Sequence, residues 1–338
     1  MQHKKIQILT DTGKAVEAQV PIIISASRAT DIPAFYGDWF INRLKAGYLR
    51  WQNPFNGKPL YVSFEKARAF VFWSKNPKPF IKQLQFIEDQ NINFYFQFTL
   101  TDYNKQLETK VPPLEKRIET FIELSERIGK EKVIWRFDPY ILTPEHGVDE
   151  LLKKTEYIGE RLKDYTNKLV FSFADMAAYR KVKANMNAVN YSEFTEEQMK
   201  KLAAGLQEIN KSWNLELASC AEEIDLNEFG ITHNKCIDDD LLIKLFCRDQ
   251  ALMDFLGVKI QQPDLFSNER KILKTKKLKD KGQRYLCGCV VSKDIGQYNT
   301  CPHGCIYCYA NTSLEKAKTN FRQHLKNPKG ENISGNKL

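Results

Sequence analysis

The chain has 338 residues, 42% of them hydrophobic and 12% aromatic, a composition that fits an ordinary soluble globular protein with a substantial core. No run of 18 apolar residues occurs, which excludes a membrane-spanning helix, and a formal charge of +9 selects no partner by itself. The opening stretch MQHKKIQILTDTGKAVEAQVPIIIS has no uninterrupted apolar segment and no cleavage site, so the expected location is cytoplasmic.

Six short runs rich in β-branched and aromatic residues follow in chain order: PIIISAS (21–27), AFVFWSKN (69–76), NFYFQFTLT (93–101), KVIWRFDPY (132–140), KLVFSFADM (168–176) and LELASCAE (215–222). Each is nearly continuous in apolar character, the pattern of strands buried on both faces of a parallel sheet. Helix-period segments separate them. NPKPFIKQLQFIEDQ opens with prolines, and PPLEKRIETFIELSERIG places Leu114, Ile118, Phe121 and Ile122 on one stripe before stopping at Gly129. GVDELLKKTEYIGERLKDY and TEEQMKKLAAGLQEINKSW repeat the pattern, the second with Thr195 as N-cap. This alternation predicts an α/β fold, a partial (β/α)6-type TIM-like barrel over residues 1–222 with its site at the C-terminal strand ends.

Those ends are polar: Ser25, Ser27, Arg28, Thr30 and Asp31; Lys75 and Asn76; Thr99, Thr101 and Asp102; Arg136 and Asp138; Ser172 and Asp175; Cys220 and Glu222. Any single one serves equally as a loop or cap residue, but six successive ends of this kind point to one mouth. Beyond 222 the rhythm changes. EEIDLNEFGITHNKCIDDDLLIKLFCRDQ is irregularly helical, and the basic stretch ERKILKTKKLKDKGQR (269–284) reads as a solvated linker or as a phosphate-contacting segment. Residues 223–338 are expected to form a cysteine-rich cap over the mouth, with NTSLEKAKTNFRQHL helical near the end.

Of eight cysteines, none precedes Cys220 and five lie between Cys287 and Cys308. In a cytoplasmic chain such clustering reads as metal ligation before disulfides. Cys301, Cys305 and Cys308 in CPHGCIYCYA are spaced C-x3-C-x2-C, so three thiolates can hold three irons of a 4Fe–4S cubane and leave the fourth open. A structural zinc with His303 as fourth ligand is the alternative. Cys220, Cys236, Cys287 and Cys289 make a second set, of the size for another 4Fe–4S cluster or a structural zinc. Cys247, in LLIKLFC, reads as a buried apolar residue.

IISASRATDIPAFY, FVFWSKNP, FQFTLTDY, WRFDPY, CAEEIDL and CGCVVSKDIGQYNTCPHGCIYCYA together resemble a bacterial domain-of-unknown-function family whose hallmark is a C-terminal cysteine cluster like that of radical S-adenosylmethionine (SAM) proteins. A looser likeness runs to spore photoproduct lyase and its relatives, through Cys301, Cys305, Tyr307, Cys308 and Tyr309, then Ser74, Lys75 and Asn76, then Arg136, Asp138 and Pro139. That likeness implies Lys75, Asn76 and Arg136 near SAM, Tyr307 packed by its adenine, and Ser27, Arg28, Thr30 and Asp31 gripping its amino group. In those relatives the cluster loop precedes the strands; here it follows them. The likeness therefore implies a circularly permuted radical SAM core, with YLCGCVV (285–291) supplying the barrel's first strand.

The expected function is that of a radical SAM enzyme, generating a 5′-deoxyadenosyl radical and taking electrons from a donor such as flavodoxin or ferredoxin. Tyr103, Tyr140, Tyr307 and Tyr309 stand as radical relays or as packing groups. The basic stretch and the aromatics Trp39, Trp51 and Phe55 point to a nucleic-acid base; a small metabolite or cofactor stands equally open, with a peptide as the third substrate class. Two other readings remain: a non-catalytic iron–sulfur or zinc protein acting as redox sensor or nucleic-acid-binding module, and a hydrolase using Asp138 and Glu222.

Overall fold

The computed structural model describes residues 3–54, 56–175, 180–187, 189–261 and 271–335. Eight strands form one sheet: β1 (Ile23–Ala26), β2 (Ala69–Ser74), β3 (Asn93–Thr99), β4 (Val133–Tyr140), β5 (Lys168–Phe173), β6 (Glu216–Ser219), β7 (Ile231–His233) and β8 (Lys293–Asp294). Every pairing in it is parallel, in the order β7-β6-β5-β4-β3-β2-β1-β8. All six predicted strands are present, each within its predicted run.

The nearly continuous apolar runs follow from a sheet covered on both faces. Alternate residues such as Ile24, Phe70, Phe72, Phe96, Trp135 and Phe171 join the larger core, under the helices Leu114–Ile128, Val148–Leu162 and Glu196–Asn210. Their neighbours Ile23, Val71, Tyr95, Ile134, Val170 and Ala218 face the other way and pack with Leu242, Phe246, Leu252 and Val290 from the C-terminal third. Full burial of these side chains, at roughly 25 cal/mol per Å² of apolar surface, is the main stabilisation of the sheet. The helix starts follow the expected chemistry: Thr195 and Gln198 close a capping box, and Gly129 ends its helix at φ 95°.

The sheet is open. No closed barrel forms among the described residues, because β7 and β8 lie at opposite edges and span only three and two residues. The face that barrel closure would fill is covered instead by the helices Asp239–Phe246 and Gln250–Leu256. The C-terminal region thus supplies both edge strands as well as a cover. The strand beside β1 is Lys293–Asp294, two residues beyond the predicted 285–291 segment.

A second sheet of four strands, Lys5–Leu9, Ala15–Gln19, Pro59–Ser63 and Tyr48–Gln52, stands outside the predicted pattern. It carries Trp51, whose indole N–H donates to Gly296 O at 2.8 Å and whose ring lies under the Lys293 ammonium. Trp39 is not an exposed aromatic. It is 1% exposed and donates to Gly330 O at 2.8 Å, fastening the C-terminal tail. Phe55 and the first two residues of the basic stretch, 269–270, lie outside the described residues. The predicted C-terminal helix runs Leu314–Lys326 from a Ser313 cap. Cys247 is half-buried at a helix end rather than buried. No helix among the described residues is long and apolar enough to cross a membrane.

Candidate functional site

The C-terminal ends of the parallel strands open into a cavity of about 670 Å³. Its wall includes Ser27, Arg28, Thr30 and Asp31 after β1, Lys75 after β2, Arg136 and Asp138 in β4, and Tyr307 from the C-terminal loop. Seven cysteines also line it: Cys220, Cys236, Cys287, Cys289, Cys301, Cys305 and Cys308. The two predicted cysteine sets therefore meet at one mouth, although they come from regions far apart in the chain. Of the polar strand-end residues expected at the mouth, Ser25, Asn76, Thr101, Asp102 and Glu222 stand outside the wall.

The three-cysteine loop is clamped from two sides. On one, His303 Nε2 lies 2.8 Å from Asp31 Oδ2. Asp31 also caps the helix Ile32–Phe35 through Ala34 N (3.0 Å) and accepts from Ser74 Oγ (2.7 Å) and Lys75 N (2.8 Å). Its carboxylate ties β1, β2 and the cysteine loop together, which leaves it little capacity for gripping an amino group. On the other side, segment 107–110 runs along the loop: Ile306 N donates to Leu107 O (3.1 Å), and Lys110 N to His303 O (2.8 Å). His303 commits only Nε2 to Asp31; its Nδ1 is buried without a hydrogen-bond partner.

Glu108 anchors that second clamp. It is 1% exposed and accepts from Lys75 Nζ (2.8 Å), Thr101 Oγ1 (2.8 Å) and the Tyr307 hydroxyl. Burial alone would raise its pKa; Lys75 and Arg117 reverse the direction and hold it below the usual carboxylate range. Lys75 is thereby fixed 5.6 Å above the Tyr307 ring, where its charge favours the thiolates of Cys305 and Cys308. Burial lifts all three loop thiols, Cys301 to about 12, so that as free groups they stay protonated near neutral pH. A metal that binds them must displace those protons.

The four-cysteine set is assembled by the fold. Cys220 follows β6 directly, and its Sγ lies 3.4 Å from Cys236 Sγ. Cys236 accepts from Arg136 Nη1 (3.2 Å) and Asn234 Nδ2 (3.3 Å), while Cys289 accepts from Ile237 N (3.3 Å). A hydrogen bond with Cys289 brings Cys287 down to about 7. Arg136, held also by Gln97 Oε1 (3.1 Å) and Asp138, thus serves this set directly. Asp138 accepts in turn from Ser172.

Glu222, pushed up to about 7 chiefly by burial, accepts from Phe173 N at 3.0 Å. With Asp138 spent on Arg136 and Ser172, the two carboxylates do not form a free acid–base pair. Tyr103 and Tyr140 are buried and hydrogen-bonded, to Pro139 O (2.9 Å) and Thr155 Oγ1 (2.8 Å). Sequence reasoning missed Glu108 and Asp294. Asp294 accepts from Ser25 Oγ (2.6 Å) and Arg28 N (2.9 Å), joining β8 to β1. Gly296 makes that junction possible, since a Cβ there would lie 1.8 Å from Ser27 Oγ.

A family model described as a domain of unknown function (DUF1848) matches residues 23–310. The chain belongs to that family. No curated protein matches it in sequence.

Proposed function

We propose that this DUF1848 protein is a radical SAM enzyme in which Cys301, Cys305 and Cys308 hold a 4Fe–4S cluster with one iron open to SAM. The observation that carries the reading is the convergence of seven thiols, Lys75 and the polar ends of sequential parallel strands on one cavity. When bound, the reduced cluster and SAM supply a 5′-deoxyadenosyl radical that abstracts hydrogen from the substrate. The chain's own part is positional. Asp31 and Glu108 fix the cysteine loop from opposite sides, and the Lys75 ammonium offsets thiolate charge.

The second set is read as holding another cluster. Among the described residues, only Asp238, Asp239 and Asp240 bring three His, Cys, Asp or Glu ligand atoms within 4.8 Å of one another. Thiolates about 2.3 Å from one zinc ion would all meet that limit. Within the second set, however, Cys220 Sγ lies 3.4 Å from Cys236 Sγ, close enough for the two to share one ion, so a structural zinc stays the alternative there. The position of β8 beside β1 supports a permuted core, in which the C-terminus supplies the strand and loop that open the parallel series. Such an enzyme needs a one-electron donor such as flavodoxin or ferredoxin.

A second reading, a non-catalytic iron–sulfur protein, is favoured by one observation: Asp31, Lys75 and Arg136 are all committed to protein partners. The two readings part on a single assay. Anaerobically reconstituted, dithionite-reduced protein is expected to cleave SAM to 5′-deoxyadenosine. An intact cluster that cleaves none sinks the enzyme reading.

A further inference from the structure

Arg28, Lys75, Arg136 and Arg284 line the cavity, and Lys75 and Arg136 are held by protein partners. Lys75 is spent on Glu108 and Thr101, beside the three-cysteine loop. Arg28 is different. Its guanidinium lies over the Trp73 ring, 5.2 Å from the centroid, and its Nη2 is buried with no hydrogen-bond partner. Apart from burial, the groups acting most strongly on it are Cys289, Asp294, Cys236 and Tyr309, so it faces the four-cysteine side. Asp294 is already filled by donors from Ser25, Arg28 N and Gly296.

Three further orphan atoms belong to residues of the same wall: Thr30 Oγ1 and Gln297 Oε1, on the loops after β1 and β8 that Gly296 and Ser27 press together, and His303 Nδ1. Native proteins rarely leave buried polar groups unmet, and Arg28 Nη2 and Thr30 Oγ1, both able to donate and both on the loop after β1, mark an anion position. The planar fork of arginine, held flat on an indole, matches a carboxylate or a phosphate.

We infer that Arg28, a pure donor that has no acceptor for the SAM amino group, instead anchors an oxyanion, carboxylate or phosphate, of a small-molecule substrate, with the Thr30 hydroxyl beside it on the four-cysteine side of the cavity. The anion site stands on these contacts alone; its assignment to the substrate rather than to SAM rests on the radical SAM reading. The open cavity, about 670 Å³ and shared with both cysteine sets, lies within the roughly 300–1,000 Å³ range of small-molecule pockets.

The test has two arms. In the first, full-length protein is titrated with succinate and, separately, with inorganic phosphate at constant ionic strength, following tryptophan fluorescence because Trp73 lies against Arg28. The wild type is expected to saturate with at least one of the two. Arg28→Ala is expected to bind that anion about tenfold or more weakly, the scale of a charged hydrogen bond, and Arg28→Lys to keep part of the affinity. A silent wild type, or an Arg28→Lys protein and an Arg28→Ala protein that both match it, overturns the anion site. In the second arm, SAM is added to cluster-loaded, reduced protein and the paramagnetic resonance spectrum is read. Arg28→Ala is expected to respond to SAM as the wild type does. Loss of that response in Arg28→Ala alone overturns the substrate assignment. A wild type that ignores SAM overturns the radical SAM reading, and with it the substrate assignment, while the first arm still decides the anion site.

Discussion

The two cysteine sets line the same cavity but are built in opposite ways. Cys301, Cys305 and Cys308 come from one loop of eight residues, so their spacing is written into the local sequence. Cys220, Cys236, Cys287 and Cys289 come from three separate segments and meet only when β6, the helix Asp239–Phe246 and the stretch before β8 have docked. A local set can bind metal in a poorly folded chain. A non-local set holds metal only in the folded one, so its binding free energy adds to folding.

The largest expected effects test that contrast directly. Cys301→Ala/Cys305→Ala/Cys308→Ala is expected to lose about four irons per chain and all SAM cleavage while keeping its thermal midpoint in the metal-free state. Cys236→Ala is expected to lose the second metal complement and also the midpoint shift that metal confers on the wild type. Iron and sulfide assays with melting curves read both, and equal midpoint losses in the two variants would break the contrast.

The next effect concerns the clamp. Glu108→Ala leaves Lys75 without its carboxylate in a buried setting, at a cost of about 3–5 kcal/mol in urea unfolding. A loss well under 1 kcal/mol would show that the pair does not hold the loop. Gly296→Ala forces the β1 and β8 loops apart and should cost about 1–3 kcal/mol, with weaker anion binding at Arg28. Smallest of all, Thr195→Ala removes a capping box far from the cavity, at about 1 kcal/mol, and should leave metal content unchanged.

Much of the sheet was legible because its strands are buried on both faces, and double burial writes long apolar runs such as AFVFWS and KLVFSF. The Lys5–Leu9 and Ala15–Gln19 hairpin carries a different signal, alternation around a turn with Gly13 at φ 77°, which a search for continuous runs passes over. The cysteines were legible from type and spacing. The roles of the strand-end charges were not, because they depend on which partner arrives. Asp31 meets His303 across 272 positions, and Arg136 meets Cys236 across 100, contacts that no local pattern encodes. Glu108 sits in NKQLETK without any motif, and its importance comes from the cysteine loop that docks on it. The open sheet was likewise hidden, since edge strands of two and three residues leave almost no hydrophobic pattern.

The most direct test of the central claim is the paramagnetic resonance spectrum of reduced, cluster-loaded protein with and without SAM. The predicted result is two iron–sulfur components, of which one changes on SAM addition and is missing from the Cys301→Ala/Cys305→Ala/Cys308→Ala variant. A wild-type spectrum indifferent to SAM, with both clusters intact, would contradict an open iron at Cys301, Cys305 and Cys308.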